Sequence, residues 1–439
     1  MPELITTTDA DFLDLDQINR IQRKHWSAQA DYIQRHSGFY QRHFSHLSLK
    51  GQLEEIVDLP FTDKEMLRQD QQQHGPFGSY LAAATDQVVR MHRTSGTTGS
   101  AMNLALTEQD ALMTATIGGR AQRASGLGPQ HRVVHCLNYQ LWMGGYTDHA
   151  SLEATGAMVI PYGVGGTRGL IQLILDMRID AISCTPSYPA VLEQVIETDF
   201  PGLSPRDLNL RLGLFGGEAG LDGLALRQRL EATWGFEVRN SNYGVTDVLC
   251  NFAGQSEVSN DLHFVALDVL YPELIDPDSG WIKPWKAGES GELVLTHLCK
   301  QAQPLVRFRT SDIILVTATD TAVCGRTAPR FRVIGRSDDM LVIRGINVFP
   351  TMISQIIHGH NALSGEYRIV LEQTPPFDYL PVEVELAEAP HFPQDLAKTV
   401  EQQIKQQIGV SARVSILRPN SLPRTEGKTR RVIRKYQET

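Results

Sequence analysis

The sequence predicts an α/β protein in two unequal parts, and three observations predict it. Between Thr107 and Phe215, strand-like and helix-like stretches alternate, the pattern of a sheet with parallel strands and covering helices. From Gly291 the strands crowd together, as Glu292–Thr296, Leu305–Phe308 and Ile313–Val316, which predicts a smaller β-rich lobe. From about Asp339 the chain has the make-up of a compact α+β unit, with strands at Arg368–Leu371 and Val382–Leu386 and a helix at Leu396–Ile408.

The elements follow in order. Residues 9–73 read as polar helices with packing aromatics such as Trp26, Tyr40 and Phe44. Within them, Leu59-Pro60-Phe61-Thr62-Asp63-Lys64 reads as a turn and an N-cap, with Thr62 or Asp63 starting a helix. Gln87–His92 alternates as a strand does, and Thr107 opens a helix rich in Ala, Met and Leu. Strands are predicted at Val133–Leu137, Ala157–Pro161, Ala181–Cys184 and Leu210–Phe215. Helices are predicted at Leu170–Met177 and Pro189–Thr198.

Bulk properties narrow the class. The chain has 439 residues, 41% hydrophobic and 21% charged, an ordinary globular composition with room for two or three domains. A formal net charge of −9 argues against a general nucleic-acid binder, though not against an anionic nucleotide held by local donors. The first residues have neither the basic nor the apolar segment of a signal peptide, and no apolar run approaches the ~20 residues that span a bilayer. Five cysteines, an odd number in a long chain, suggest no disulfide framework, so a reducing, cytoplasmic setting is expected.

The stretch around which the rest is organised is Arg93–Ser100. Ser95, Gly96, Thr97, Thr98 and Gly99 put three hydroxyls and two glycines directly after a strand. Such a loop can turn its backbone amides and hydroxyls toward phosphate oxygens. It lacks the lysine of a P-loop. Further along come Phe215-Gly216-Gly217-Glu218 at the end of a strand, and Asn242-Tyr243-Gly244-Val245-Thr246-Asp247. In the latter an aromatic beside a glycine can offer a face to a base, Thr246 can donate to phosphate and Asp247 can hold Mg²⁺, while a buried Tyr and a helix cap are the plainer alternative. Asp312 after a strand can accept ribose hydroxyls. Arg336 opens an unusual stretch running to Pro350, and Lys428 sits on a glycine-containing basic tail with Arg424, Arg430, Arg431, Arg434 and Lys435.

Together and in this order, these stretches resemble the adenylate-forming superfamily of acyl- and aryl-CoA ligases, and the phenylacetate–CoA ligase branch in particular. Leu59–Lys64, Cys184-Thr185-Pro186-Ser187-Tyr188 and Arg336–Pro350 are the branch-specific parts. The resemblance implies a large N-terminal domain (1–337) and a small, mobile C-terminal domain (338–439). It implies activation of an aromatic acid, aryl or arylacetic, by ATP and Mg²⁺ to an acyl-adenylate. CoA then takes the acyl group and AMP leaves. Loading of a phosphopantetheinyl carrier protein is the alternative, and a homodimer stands open.

Residue by residue, the resemblance implies that Ser95–Gly99 hold the β- and γ-phosphates. Gly217 and Glu218 border the adenine, Tyr243 stacks on it beside Asn242, and Thr246 touches the α-phosphate. Asp247 stands near Mg²⁺ where the family more often has Glu. Asp312 binds the ribose with Arg336 close by, Asp338 is the hinge, Lys428 is the adenylation lysine and Gly345 borders the CoA tunnel. By position the acid pocket involves Tyr139, Trp142, Met143, Gly144, Tyr188, Phe215 and Gly216, with His135, Asp148 and His149 placed to meet a polar substituent. Some relatives of this branch carry a Cys/His zinc site. Here Cys250, His263 and Cys324 remain, with polar residues around Ser256 in place of a further cysteine, so no zinc is expected.

Overall fold

The structure is a computed structural model that describes residues 8–94, 101–218, 221, 224–387, 395–424 and 431–437. The phosphate loop Ser95–Gly99 and Lys428 therefore lie outside the described residues.

Among the described residues, one sheet of 12 strands forms the body of the larger part. Five strands run parallel: Met158–Pro161, Arg132–His135, Ala181–Cys184, Leu212–Gly216 and Glu237–Val245. These strands, with buried runs at Val133–His135, Ala181–Cys184 and Leu212–Gly216, alternate with helices, which cover the faces and make parallel pairing stable. At Glu237–Val245 the sheet changes character, because that strand pairs in parallel with Leu212–Gly216 and antiparallel with Leu249–Ser256. The antiparallel strands continue through Ser259–Phe264, Arg330–Arg336, Phe308–Ala318 and Ser290–His297. The expected β-rich lobe is thus continuous with the parallel part rather than a separate sheet. The reason is hydrogen-bonding capacity: the Tyr243 strand has one edge for each mode.

A second difference lies at Leu305–Val316. Two strands were expected, and one runs from Phe308 to Ala318. Residues 305–307 stay outside because Arg307, at φ 45, turns the chain there. Its guanidinium is buried against Glu273, with Nε–Oε2 at 3.1 Å and Nη2–Oε1 at 2.8 Å, and lies 4.0 Å from the Phe61 ring centroid.

The main core gathers Trp26, Ile33 and Tyr40 of the N-terminal helices against Phe252, Phe264 and Phe331 of the antiparallel strands. The first helix, Leu15–His36, is started by a capping box in which Asp14 accepts from the Gln17 amide and Gln17 reaches back. The capping predicted at Thr62 or Asp63 falls on Asp63, which accepts from the Met66 amide and opens the helix Lys64–His74.

Residues from Leu341 onward bury a core of their own, including Ile343, Ile353, Ile369, Val384 and Val400. A four-stranded sheet in the order Ala412–Leu417, Leu380–Leu386, Leu363–Leu371, Val432–Arg434 packs there against helices Pro350–His358 and Leu396–Gln407. Separate cores are what allow two units to move as bodies. The smaller unit touches the larger through Arg229, whose Nη1 donates to the Ser364 carbonyl at 2.6 Å, and through Thr351, which donates to the Ile334 carbonyl. Among the described residues no helix is long and apolar enough to cross a membrane.

Candidate active site

The site forms where the sheet changes from parallel to antiparallel, at strand ends close to the join with the smaller unit. Such crevices collect ligands because adjacent strands send their connections to opposite sides. Asn242 and Tyr243 lie on the changeover strand, and Thr246 and Asp247 lie in the hairpin turn that follows, closed by Val248 N to Val245 O at 2.8 Å. Thr246 and Asp247 therefore cap no helix. Gly244 is required by packing: a Cβ there would sit 1.8 Å from the Cys250 carbonyl oxygen across the hairpin.

The nucleotide side is a network of charge. The Tyr243 hydroxyl donates to Asp312 Oδ2 at 2.7 Å, and Arg336 Nη1 donates to Asp312 Oδ1 at 2.7 Å. Asp312, 6% exposed, is thus held from both sides. Arg336 also clamps Asp338, with Nε–Oδ1 and Nη2–Oδ2 both at 2.8 Å. One guanidinium therefore links the ribose-binding candidate to the hinge candidate. The Tyr243 ring meets Phe252 and Phe331 edge-on at 5.2 and 5.5 Å, which fixes its plane.

Beside this network opens a cavity of about 340 Å³, bordered by Lys64, Arg68, Asp247, Arg309, Arg336 and Asp338. Sequence reasoning missed Lys64, Arg68 and Arg309 as site residues. The signal lies in Leu59–Lys64, which the sequence marks as a cap and as a branch-specific stretch without assigning Lys64 a place in the site. Thr62 pairs its amide with the Arg307 carbonyl at 3.0 Å, and its carbonyl with the Arg309 amide at 2.9 Å. That hook draws the start of the next helix to the cavity, where Lys64 Nζ meets Asp247 Oδ2 at 2.8 Å. Asp247 Oδ1 is buried without a hydrogen-bond partner among the described residues.

The acid side is built differently. The indole of Trp142 lies over two glycines: a Cβ would fall 2.9 Å from it at Gly144 and 3.5 Å at Gly217. Gly216 in turn packs on Asn242, whose Cβ would be 2.5 Å from a Cβ at Gly216. Trp142, Gly144, Gly216, Gly217 and Asn242 are thereby joined in one wall. Glu218 accepts from the Ser187 amide at 3.3 Å, ahead of the helix Tyr188–Asp199.

Other expected pocket residues are core. Phe215 is fully buried and packs on Phe236 with ring centroids 5.9 Å apart. Tyr188 is 2% exposed, with its hydroxyl 3.2 Å from Thr167 Oγ1. Met143, 3% exposed, packs with Leu104 and Leu106. Phe215 and Tyr188 share the core between helices and the parallel strands, while Met143 belongs to a separate small cluster with the strand Asn103–Thr107. Tyr139 is half-buried, its hydroxyl 3.0 Å from His149 Nδ1. His135 is buried under the helix Met143–Glu153, which carries His149, with Nε2 3.2 and 3.0 Å from the Gly144 and Gly145 carbonyl oxygens. Burial pulls its pKa down to about 4, so it is neutral near pH 7 and donates to those carbonyls.

The remaining cysteines and histidine do not meet in one place. Cys250 Sγ donates to Asp148 Oδ1 at 3.0 Å, while His263 Nε2 lies 3.1 Å from Ser256 Oγ. Among the described residues, no three His, Cys, Asp or Glu side chains group as metal ligands would.

The smaller unit approaches from the hinge. Gly345, at φ 80, and Arg344, at φ 48, make the two-residue turn between Leu341–Ile343 and Ile346–Val348. A Cβ at Gly345 would meet nothing within 4 Å in this arrangement. Arg424 and Arg431 bracket Lys428 in the sequence. Arg424 Nη2 pairs with Glu385 Oε1 at 2.6 Å, and Arg431 Nη1 pairs with Glu366 Oε2 at 2.5 Å. Burial opposes the Arg431 charge, and Glu366, Tyr367 and Glu218 favour it. Glu218, expected beside the adenine, belongs to the larger unit.

Known proteins share these features. Residues 345–435 match the AMP-binding enzyme C-terminal domain. The chain is 35% identical to the phenylacetate-coenzyme A ligase of Pseudomonas putida, over 96% of this chain and 94% of that protein. It is 31% identical to the enzyme of that name from Thermus thermophilus, over 98% of both. Among solved structures it resembles 2-hydroxyisobutyryl-CoA ligase in the postadenylation state with R3-HIB-AMP, at TM-score 0.90 and 27% identity, covering 100% of this chain and 94% of that one. The same ligase in its thioesterification state with 2-HIB-AMP and CoA gives TM-score 0.71 at 28% identity, covering 99% of this chain and 94% of that one. With identity nearly equal, the two scores differ through shape alone, so this chain has its units arranged nearer the postadenylation state. The fold, the length matched and the small C-terminal unit agree, and the chain belongs to the phenylacetate–coenzyme A ligase family of adenylate-forming enzymes.

Proposed function

We propose that the protein activates an aromatic carboxylic acid with ATP and passes the acyl group from the adenylate to CoA, releasing pyrophosphate and AMP. The observation that carries this reading is Asp312, held between Tyr243 and Arg336 beside an open polar cavity and next to the hinge candidate Asp338. A fixed, twice-anchored carboxylate suits two vicinal ribose hydroxyls, because it needs no reorganisation when they arrive. Relatives named for phenylacetate, and the Trp142 indole against glycine, support a flat ring on the acid side.

The donors then divide the work. Ser95–Gly99 cradle the outer phosphates and Thr246 donates to the α-phosphate. Lys428 favours the transition state, in which carboxylate attack spreads negative charge over the α-phosphate oxygens. Asp247 fits a single-carboxylate Mg²⁺ ligand, since among the described residues Oδ1 is buried without a hydrogen-bond partner while Oδ2 meets the partly exposed Lys64. Mg²⁺ held there would neutralise the pyrophosphate leaving group. For the second half-reaction the unit 338–439 turns about Asp338, taking Lys428 away and bringing the Gly345 turn to the pantetheine path.

The test is AMP release from purified protein with ATP, Mg²⁺, CoA and a panel of benzoates and arylacetates. CoA-dependent AMP release with at least one aromatic acid supports the reading. Release that requires a phosphopantetheinylated carrier protein in place of CoA would move the second step to the carrier.

A further inference from the structure

One buried carboxylate on the acid side, Asp148, expected from the resemblance to meet a polar substituent, has no role in the reaction proposed above. Asp148 lies on the helix Met143–Glu153 and is 2% exposed. Its described partners are neutral: Asn242 Nδ2 donates to Oδ2 at 2.5 Å, and Cys250 Sγ donates to Oδ1 at 3.0 Å. No described Arg, Lys or His lies within ion-pair distance of it, unlike Asp268 with Arg120 or Glu273 with Arg307, the paired buried acids elsewhere in this protein. A carboxylate accepts about four hydrogen bonds, and two are made. A buried acid without a cation is costly unless something polar joins it.

Position tells what would join it. Asn242 ties Asp148 to the wall formed by Trp142, Gly144, Gly216 and Gly217. The surroundings of this helix are polar as well: Thr147, fully buried, has its Oγ1 3.2 Å from His92 Nε2. An unsubstituted ring would leave these acceptors unmatched. We propose that Asp148 is a specificity-determining residue, which accepts a hydrogen bond from an amino or hydroxyl substituent on the ring of the acid. Burial raises its pKa to about 7, against the smaller opposing effect of Cys250 and Asn242, which agrees with a site lacking a partner charge.

The inference rests on the acid-activating reading above, and its test separates the two. Matched benzoates and phenylacetates, with hydrogen, hydroxyl or amino at one ring position, are compared by kcat/KM in acid-dependent ATP–pyrophosphate exchange. The wild type is expected to prefer a donor-bearing acid over its unsubstituted parent by about 10- to 100-fold, the range of a hydrogen bond to a charged group. Asp148→Ala is expected to lower kcat/KM mainly for that acid and to collapse the ratio to about 3 or below. Asp148→Asn, which keeps one acceptor, is expected to fall between. A wild-type ratio below about 3 at every ring position overturns the proposal, without need of any variant that folds. Equal loss on all acids in Asp148→Ala, with the ratio intact, also overturns it and leaves Asp148 a structural residue. Exchange with no acid of either kind sinks the activity reading, and this inference with it.

Discussion

The two walls of the candidate site hold their polar groups in opposite ways. On the nucleotide side, Asp312, Arg336, Asp338, Lys64 and Asp247 are charged, paired and set around an open cavity. On the acid side, Asp148 and His135 are buried among neutral partners, and glycines clear space for an indole. The nucleotide is the same for every member of such a family, so its charges can be met by fixed opposite charges. The acid varies, and on the reading proposed above it is met by shape and by the open acceptor positions of Asp148, where each hydrogen bond discriminates more strongly because water is excluded.

Four measurements would break or sharpen that contrast. The largest effect is expected from Lys428→Ala. Acid-dependent ATP–pyrophosphate exchange should fall by roughly 10³-fold, while thioester formation from a supplied adenylate should change far less. Equal loss in both half-reactions would remove Lys428 from the adenylation step. Next comes Asp312→Ala, which strips the ribose anchor and leaves Arg336 and Tyr243 without their shared acceptor. A drop of about 10²-fold in kcat/KM for ATP, with the ranking of acids unchanged, would keep the walls independent. A changed acid ranking would show them coupled. Gly144→Ala would press a methyl against the Trp142 indole. It should raise KM for the acid by about tenfold and leave KM for ATP nearly alone, as steady-state titrations of each substrate would tell.

The smallest effect concerns stability and has a definite sign. His135 and His297 are held well below their ordinary range by burial, to about 4 and about 3. They are neutral in the fold and bind protons more readily unfolded, so stability is lost as pH falls below about 6.5. Asp148 acts the other way: its folded pKa of about 7 lies above the unfolded value of 3.8, so its charge burdens the fold most above pH 7 and is relieved on acidification. Asp148→Asn should therefore gain about 2 kcal/mol more unfolding free energy, relative to wild type, at pH 8 than at pH 5. Urea melts of both proteins at the two pH values would read this, and a larger gain at pH 5 would contradict the burial described for Asp148.

Much of the architecture is legible in the sequence because local rules and tertiary packing agree. The strand Ala181–Cys184 is a short, buried run between helices, and Asp63 and Thr107 are capping residues at the starts of their helices. Ser95–Gly99 and Lys428, proposed above for the phosphates and the adenylation step, stand out in the sequence by residue type and lie outside the described residues. Less legible were side-chain directions. Phe215 and Gly216 are neighbours in the same strand, yet one faces the core and the other packs on Asn242, because alternate residues of a strand point to opposite faces. Nor does a sequence say which of two adjacent positions meets the ligand when both are apolar and flanked by glycine.

By itself, then, the order of residues determined the two-part α/β plan and the family. These depend on contiguous motifs whose chemistry is local. Only the tertiary structure decided that Lys64 reaches Asp247 across 183 positions of sequence, that Asp148 answers to Asn242 and Cys250, and that the β-rich segment continues the parallel sheet. Those pairings are made by packing between segments far apart in the chain, whose separation no local propensity encodes.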